Sequence, residues 1–240
     1  MGAPDRSPDA RGRPRLRAVL FDAGNTLIYM PHTPEEMLQR LCGEFGVAVT
    51  LDQARAAYLA SQRYYAENYL GYVGDQGQFW RRYHAEALRV LGIEDPTGEK
   101  ANYLSVQSGA PGVWQPYPEA ESVCRRLRSM GLKLGVVSNG PDTVVQMLSQ
   151  TGLLPFFETV VASQSVGVEK PDPRIFEFAL QRIGVVPWET LFVGDIYEVD
   201  VVGARAAGIA GVLIDRQGER GECDCPVVRS LAELIPLVES

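Results

Sequence analysis

Residues 18–27 read AVLFDAGNTL, a run of four apolar side chains followed by an acid, a short turn and a hydroxyl. A continuous apolar run of this length is typical of a strand that is buried on both faces of a parallel sheet. In such sheets, ligands bind beyond the carboxyl ends of the strands, where the strand order reverses. The stretch therefore predicts a central strand that presents Asp22 at its end, and Asp22 is the first candidate functional residue.

Similar apolar runs recur in the second half of the chain, at residues 132–137, 159–161, 190–193 and 209–214. Helical patterns accompany them, at residues 119–130, 143–151, 173–183 and 199–207. Strands that alternate with helices at this spacing build crossover units in one sheet. The pattern predicts an α/β fold whose core is a doubly wound, Rossmann-like parallel sheet.

One long segment interrupts this alternation. Between residues 31 and 112 the apolar positions follow helical spacing, and prolines mark the entry and the exit. We predict an α-helical cap at 31–112, inserted as a lid into a catalytic core formed by residues 18–30 and 113–240. Residues 1–17, rich in Arg, Pro and Gly and without the apolar stretch of a signal peptide, are expected to form a flexible tail.

The predicted cap is unusually aromatic, and the pattern leaves two interpretations open. The rings could pack inside a helical bundle, or they could form a surface that faces substrate or another subunit. Helical spacing favours packing. The aromatic residues are Tyr58, Tyr64, Tyr65, Tyr69, Tyr72, Phe79, Trp80 and Tyr83.

The charge balance limits the partners that the protein can have. Its 240 residues include 23 basic and 30 acidic ones, with a net charge of -7, and this disfavours generic binding to nucleic acid or to anionic membranes. No apolar run approaches the ~18 residues that a membrane helix requires. We therefore expect no nucleic-acid or membrane partner and a cytoplasmic location, while monomer and homodimer both remain open.

The four cysteines are scattered, which agrees with a reducing cytoplasm. Cys223 and Cys225 form the only close pair. A single CxC without a neighbouring His or Cys favours a surface loop with two free thiols over a metal site.

Four short segments follow the predicted strand ends. They contribute an acid, a hydroxyl with an amide, a lysine before a helix that begins with proline, and a pair of acids. Acids that face one lysine suit a hard cation such as Mg²⁺, and they would let a carboxylate attack phosphorus because the cation and the lysine offset the repulsion between anions. The candidates are Asp22 and Thr26, then Ser138, Asn139 and Gly140, then Lys170, and finally Asp195 and Asp200.

These segments, in this order and with a helical insertion after the first, resemble the haloacid dehalogenase superfamily over about residues 18–235. The resemblance implies a catalytic pair, Asp22 as the nucleophile and Lys170 as the lysine that stabilises nucleophile and phosphate. It implies phosphate binding by the second segment and a Mg²⁺ ion held by Asp22, Asp195 and the carbonyl of residue 24, with Thr26 and Asp200 in support. The substrate-binding residues are then Ser138, Asn139 and Gly140.

Gly24 departs from the pattern of the superfamily's phosphatases, which carry a second aspartate two residues after the nucleophile to protonate the leaving group. The carbonyl that would bind metal survives, but the proton carrier is missing. A positioned acid or base is worth about 10² to 10⁴ in rate, so we expect bias toward leaving groups that need little protonation. His32 and Tyr29 are candidate replacements, whereas His84 lies in a helical pattern and is expected to be structural.

The sequence therefore predicts a Mg²⁺-dependent phosphatase that acts on a small phosphorylated metabolite through an aspartyl-phosphate, slowly on alkyl phosphates. Hydrolysis of a carbon-halogen bond is the second enzymatic alternative, because dehalogenases of the superfamily also lack the second aspartate. A phosphonate hydrolase would need a cap lysine, and Lys100 is the only one there. A regulatory module that binds metal or phosphate without turnover is the non-enzymatic alternative.

Overall fold

The protein is described by a computed structural model over residues 15–72, 75–108, 113–218, 220–221 and 223–239. The chain divides into two compact units. The first, called the core unit below, combines Met1–Tyr29 with Trp114–Ser240. The second, called the helical unit, is Met30–Val113.

A six-stranded parallel sheet forms the centre of the core unit, with the order β5-β4-β1-β6-β7-β8. Its strands, numbered in chain order, are β1 (Ala18–Phe21), β4 (Lys133–Ser138), β5 (Thr159–Ala162), β6 (Thr190–Gly194), β7 (Ala210–Ile214) and β8 (Val227–Val228). A separate antiparallel pair consists of β2 (Ile28–Tyr29) and β3 (Gln115–Pro116). Strand β1 lies in the middle of the sheet, with β4 and β5 on one side and β6, β7 and β8 on the other. This order confirms the doubly wound α/β fold.

Strand β1 is a continuous apolar run because it is buried on both faces of the sheet. Val19 and Phe21 pack into one hydrophobic core, whereas Ala18 and Leu20 pack into a second core on the opposite face of the sheet. Successive strand residues point to opposite faces, so a strand that is covered on both faces needs an apolar residue at every position. Helices supply the cover: α5 (Ala120–Ser129), α6 (Thr143–Gln150), α7 (Ser163–Val166), α8 (Pro173–Ile183), α9 (Val202–Ala206) and α10 (Leu234–Glu239).

The five predicted strands and the helices at α5, α6 and α8 are confirmed to within a residue or two. The helix predicted at 199–207 begins two residues earlier, at Tyr197, and its first part is not α-helical. A π-helical turn spans Tyr197–Val201, and α9 follows it. Wide turns of this kind occur often at functional sites. Strand β8 has only two residues, too few to leave a periodic signal.

The helical unit contains α1 (Pro34–Glu44), α2 (Leu51–Asn68), α3 (Gln76–Val90) and α4 (Glu99–Ser108). Thr33 and Thr50 begin the first two helices with capping boxes, in which the threonine side chain accepts from a backbone N–H one turn on. The unit has its own apolar core, which includes Leu41, Leu88 and Leu104.

The aromatic residues of this unit pack on one another, as the packing interpretation predicts. Phe79 is fully buried at their centre, and the neighbouring ring centroids lie 5.1 to 6.4 Å from its own. Edge-to-face and stacked arrangements both occur, and each adds to the area that the rings bury. The surrounding rings are Tyr64, Tyr65, Tyr69, Tyr72, Trp80 and Tyr83.

Residues 1–14 of the predicted tail lie outside the described part of the chain. Leu16 packs against the core, and the backbone of Arg17 donates to the Glu189 carbonyl at 2.8 Å and accepts from Lys133 N–H at 2.9 Å. Arg17 thus continues the hydrogen bonding of β1, with one partner in β4 and one in the residue before β6. Within the described ranges, no helix has the length and apolar character that crossing a bilayer demands.

Candidate active site

Lys170 lies at the centre of the candidate site, in the loop before α8. Its Nζ donates to Asp22 Oδ1 at 2.6 Å and to Asp200 Oδ1 at 2.7 Å. Asp22 directly follows β1, and Asp200 lies in the π-helical turn after β6, so the sheet brings together residues that are 148 and 30 positions from Lys170. The lysine side chain is 2% exposed. Adjacent parallel strands end at the same edge of the sheet, which is why these side chains meet.

Burial and charge shift the titration of this cluster. Burial raises the pKa of the Asp22 carboxyl to about 6, although Lys170 opposes the shift. Burial alone would lower the pKa of Lys170, but the carboxylates of Asp200 and Asp22 reverse the effect and raise it. Lys170 is therefore protonated, because two carboxylates stabilise its ammonium form. Among the described residues it is the only cation that pairs with these two acids.

Asp195 follows β6 and couples electrostatically to the same cluster. Burial raises the pKa of its carboxyl well above the usual range, and the negative charges of Asp22 and Asp200 raise it further. The side chain of Asn25 forms a hydrogen bond to this carboxyl. Three carboxylates thus share one neighbourhood with a single ammonium, and the excess of negative charge favours a cation.

Asn139 and Gly140, predicted to bind substrate, make hydrogen bonds that connect the segments around the site. The Asn139 side chain donates to the Lys170 carbonyl at 2.8 Å and accepts from the Lys170 N–H at 2.7 Å. The Gly140 N–H donates to Ser163 Oγ at 2.9 Å. Asn139 therefore positions the backbone of Lys170, and Gly140 joins the ends of β4 and β5. Ser138 ends β4 as a buried hydroxyl.

Two glycines that the sequence analysis did not single out allow this assembly. A Cβ on Gly194 would lie 2.3 Å from Asp200 Cγ, so the Asp200 carboxyl can reach Lys170 only beside a glycine. A Cβ on Gly203 would lie 2.8 Å from Pro171 Cα, where α9 approaches the loop that carries Lys170. Gly-Asp and Gly-Ala pairs are common in sequences, and only the fold reveals these close approaches.

The turn after Asp22 is tightly hydrogen-bonded. Asn25 has a φ of 55°, and its N–H donates to the Ile28 carbonyl at 2.7 Å. Asparagine tolerates this left-handed conformation better than most residues. The Thr26 side chain is buried, and its Oγ1 has no hydrogen-bond partner within the part of the chain that the structure describes.

Arg216, in the loop after β7, stabilises this turn through hydrogen bonds to its carbonyls. Its guanidinium donates to the carbonyls of Asn25 at 3.1 Å and Thr26 at 2.7 Å, and to Glu119 Oε1 at 2.9 Å. The group also stacks on the Tyr117 ring, 3.3 Å from its centroid. The planar fork of arginine suits such a set of acceptors. No local sequence signal pointed to Arg216, since it lies 191 residues from Asn25.

Gly24 faces an aromatic side chain. A Cβ built on Gly24 would lie 3.6 Å from Cη2 and Cζ3 of Trp114, which is ordinary contact, and the φ of Gly24 lies outside the left-handed region. The turn therefore does not demand glycine at this position. Trp114 occupies space next to the missing side chain, and its Nε1 is buried without a partner among the described residues.

The two candidate proton carriers, Tyr29 and His32, and the other histidine, His84, each have their own surroundings. The Tyr29 hydroxyl donates to Gln115 Oε1 at 3.4 Å, and its ring lies against Tyr117. His32 is exposed at the start of α1, 3.9 Å from Glu36. His84 packs edge to face on Tyr83, and burial lowers its pKa to about 4. His84 is therefore neutral at physiological pH and structural, as expected.

The donor set fits a magnesium ion. Asp22 and Asp195 offer carboxylate oxygens and Gly24 offers a backbone carbonyl, and Mg²⁺ prefers such hard ligands and completes its shell with water and phosphate. Both oxygens of Asp200 are already used, by Lys170 and by the Ile196 N–H at 2.9 Å. Asp200 therefore holds Lys170 in position and is not expected to be a metal ligand.

The sequence matches the family model of the haloacid dehalogenase-like hydrolases over residues 16–208, which include all of these side chains except Arg216. The chain belongs to the haloacid dehalogenase-like hydrolases. It is 46% identical to a phosphoserine phosphatase of Thermus thermophilus, over 84% of this chain and 89% of that protein. It is 32% identical to a glyceraldehyde 3-phosphate phosphatase of Methanopyrus kandleri, over 84% of both.

A solved dehalogenase structure, determined as an intermediate complex, matches this hydrolase with a TM-score of 0.68 and 29% identity, over 92% of this chain and 96% of that one. Membership of the family makes the chain a hydrolase. Phosphatases and dehalogenases both occur among its relatives, so the choice between the two bonds depends on the site.

Proposed function

We propose that this hydrolase is a Mg²⁺-dependent phosphatase of small phosphate monoesters that works through an aspartyl-phosphate on Asp22. The observation that carries the proposal is the bridge of Lys170 Nζ between Asp22 Oδ1 at 2.6 Å and Asp200 Oδ1 at 2.7 Å, beside a further acid at Asp195. Two relatives named as phosphatases support the same class of substrate.

Each protein group has a separate role in the proposed reaction. The Asp22 carboxylate attacks phosphorus, the bond from phosphorus to the ester oxygen breaks, and the alcohol leaves with a proton from solvent. Water then attacks the same phosphorus, phosphate departs and the carboxylate is restored. Lys170 neutralises Asp22 and the phosphoryl oxygens, and Asp200 with Asn139 holds Lys170 in place.

Magnesium, bound by Asp22, Asp195 and the Gly24 carbonyl, would supply charge neutralisation for the phosphoryl group. This role follows from the electrostatics of the site, because three acids and a dianionic substrate exceed what one lysine can offset. We expect little turnover without a divalent cation.

Gly24 is expected to determine the order of substrates. With glycine there, no carboxyl protonates the leaving oxygen, so acyl and aryl phosphates should turn over faster than alkyl phosphates. Phosphoserine and glyceraldehyde 3-phosphate, the substrates in the relatives' names, are alkyl esters and belong in the same panel.

The test is phosphate release from acetyl phosphate, an aryl phosphate, phosphoserine and glyceraldehyde 3-phosphate, with and without Mg²⁺. Asp22→Asn should lose on the order of 10³-fold or more in kcat, since the nucleophile is removed. Asp52→Asn, an exposed acid at the start of α2, is the matched control and should keep full activity. Equal rates in Asp22→Asn and the parent would refute the proposal.

Carbon-halogen hydrolysis is the second candidate, favoured by Gly24 and by the likeness to the solved dehalogenase. In that reaction Asp22 attacks carbon, halide leaves, and water hydrolyses the ester. Attack on a carbon atom that carries halide needs no metal ion, so Asp195 would not be required as a metal ligand. Halide release from a 2-haloacid without Mg²⁺, together with an inactive phosphate panel, would favour this alternative.

A further inference from the structure

The loop between β7 and β8 contains a thiol pair that the proposed hydrolysis does not use. Cys223 Sγ and Cys225 Sγ lie 3.0 Å apart, although both residues are free cysteines. A disulfide bond is ~2.05 Å long, so the two sulfurs need to approach by only about 1 Å to bond. Cys42 and Cys124, in contrast, are fully buried within separate hydrophobic cores.

The residue between the two cysteines is held on both its side chain and its backbone. The Asp224 carboxylate accepts from Tyr197 Oη at 2.6 Å and from Arg205 Nη1 at 2.9 Å. The Asp224 carbonyl accepts from Arg205 Nη2 at 2.8 Å. These bonds keep a bend in the chain that turns the Cys223 and Cys225 side chains toward each other.

The same contacts disfavour a metal ion at this loop. Among the described residues, the third ligand would come from Asp224, and its carboxylate is already committed to Arg205 and Tyr197. Two neighbouring thiols whose nearest described third donor is engaged in this way are better suited to exchange with another disulfide than to coordination of a cation.

We propose that Cys223 and Cys225 form a reversible dithiol-disulfide site whose oxidant is a small-molecule disulfide of the glutathione class. Cys223, the more exposed thiol, attacks the oxidant as the thiolate, forms a mixed disulfide and releases one glutathione thiol. Cys225 then attacks the Cys223 sulfur, its proton passes to the second glutathione as that leaves, and the ring closes. Two electrons have moved from the protein to the oxidant, and excess reduced thiol reverses both steps.

The surroundings of the two sulfurs support this order of attack. Cys225 is buried against Val201 and Leu213, and burial raises the pKa of its thiol to about 11. A buried thiol is a poor first nucleophile toward a bulky oxidant, but at 3.0 Å it is well placed for the second, intramolecular step.

The dithiol site also connects to the acids of the candidate active site. Tyr197, bonded to Asp224, begins the π-helical turn that contains Asp200. Arg220 lies over the Tyr197 ring at 4.5 Å and pairs with Glu198 at 2.7 Å. Closing the ring changes the backbone at Asp224, so oxidation should disturb this turn and lower turnover. This coupling, unlike the disulfide itself, rests on the proposed function.

The disulfide is tested by counting thiols. Folded, reduced protein is incubated with oxidised glutathione, denatured, alkylated and weighed by mass spectrometry. The parent should lose two of its four thiols without retaining glutathione. Cys225→Ser should stop at the mixed disulfide on Cys223, and Cys223→Ser should keep its remaining thiols. Four alkylated thiols in the parent, a persistent glutathione adduct or a disulfide between molecules would overturn the site.

The coupling is tested on the same samples by Mg²⁺-dependent phosphate release. The parent should lose activity in step with the thiol count and regain it after treatment with dithiothreitol, whereas Cys223→Ser should not respond. A closed disulfide with unchanged turnover would overturn the coupling alone. An enzyme that is inactive in both states would refute the proposed function, and the thiol count would still decide on the dithiol site.

Discussion

Gly24 is the residue that sets the leaving-group preference in the proposed mechanism. Asp22, Lys170 and Asp200 meet in one hydrogen-bonded cluster, and in the proposal glycine stands where a proton-carrying side chain would lie. Trp114 lies beside this position and takes up space that a longer side chain would share. The proposed restriction on leaving groups would therefore come from a single side chain and not from a different architecture.

Gly24→Asp should restore proton transfer to the leaving group. The backbone permits the change because the Cβ would meet Trp114 at 3.6 Å. We expect kcat on alkyl phosphates to rise by about 10² or less, since the indole limits the rotamers of the new carboxyl. Rates on acetyl phosphate should change little. Gly24→Ala, which adds the Cβ without the acid, is the control; an equal gain there, or no gain in a folded Gly24→Asp, would contradict the prediction.

His84 should make the helical unit less stable in acid. Burial holds its folded pKa near 4, below the unfolded value of 6.5, so the unfolded chain binds more protons between these values. The contribution of neutral His84 to the free energy of unfolding is thus fully present above pH 6.5 and is lost as the pH drops toward 4. By pH 5 the loss should be on the order of 1 to 2 kcal/mol, reduced because the ring keeps some solvent contact.

The measurement is urea unfolding at pH 7 and pH 5, followed by tryptophan fluorescence, to which Trp80 of the same aromatic cluster contributes. His84→Phe retains the ring contact with Tyr83 but cannot bind a proton. The variant should lose less stability than the parent between the two pH values. Identical losses would show that other groups dominate acid unfolding.

Among the loops and strands, the loop after β7 controls the turn after β1 through Arg216. Removing the guanidinium frees the carbonyls of Asn25 and Thr26, which follow Gly24 by one and two residues. The side chain of Asn25 also bonds the Asp195 carboxyl. We expect Arg216→Gln to lower kcat by about 10 to 10²-fold, since small misplacements of reacting groups are costly. KM should change less, because the Arg216 guanidinium is engaged by protein groups, the two turn carbonyls and Glu119.

Two comparisons separate positioning by Arg216 from general stabilisation. Arg216→Lys keeps the charge but loses the fork and should recover only part of kcat. Arg125→Gln removes an exposed arginine of α5 and should be neutral. Arg216→Gln will also lose stability, because Glu119 loses its cationic partner and keeps only the hydrogen bonds from Ser230 Oγ and Leu231 N–H. A lower melting temperature with unchanged kcat would contradict the positioning role.

The contrast between these residues explains what the sequence could predict. Strand β1 and the acid after it were predictable because their signals are local, an apolar run and the polar residue that ends it. Arg216 and Gly203 act through residues that only the fold brings near, so no short window of sequence contains their role. Asn139 was singled out, but its contact with Lys170, 31 residues away, could not be derived from its position.

At the scale of the whole molecule, each unit has its own hydrophobic core. Phe79 centres the aromatic cluster of the helical unit. Phe192 is fully buried in the core unit, edge to face with Phe176 and beneath Lys170. Because neither core shares residues with the other, a cavity in one should destabilise that unit first.

Phe79→Ala and Phe192→Ala test this independence reciprocally. Each removes a buried ring at a cost of about 3 to 5 kcal/mol. Amide hydrogen exchange followed by mass spectrometry should show lost protection in α2 and α3 for the first variant, and in β1, β4 and β6 for the second. Phe79→Leu and Phe192→Leu, which fill most of the cavity, should lose less. If either alanine variant lowers protection equally in both units, the chain unfolds as one cooperative body, and the helical unit does not have a stability of its own.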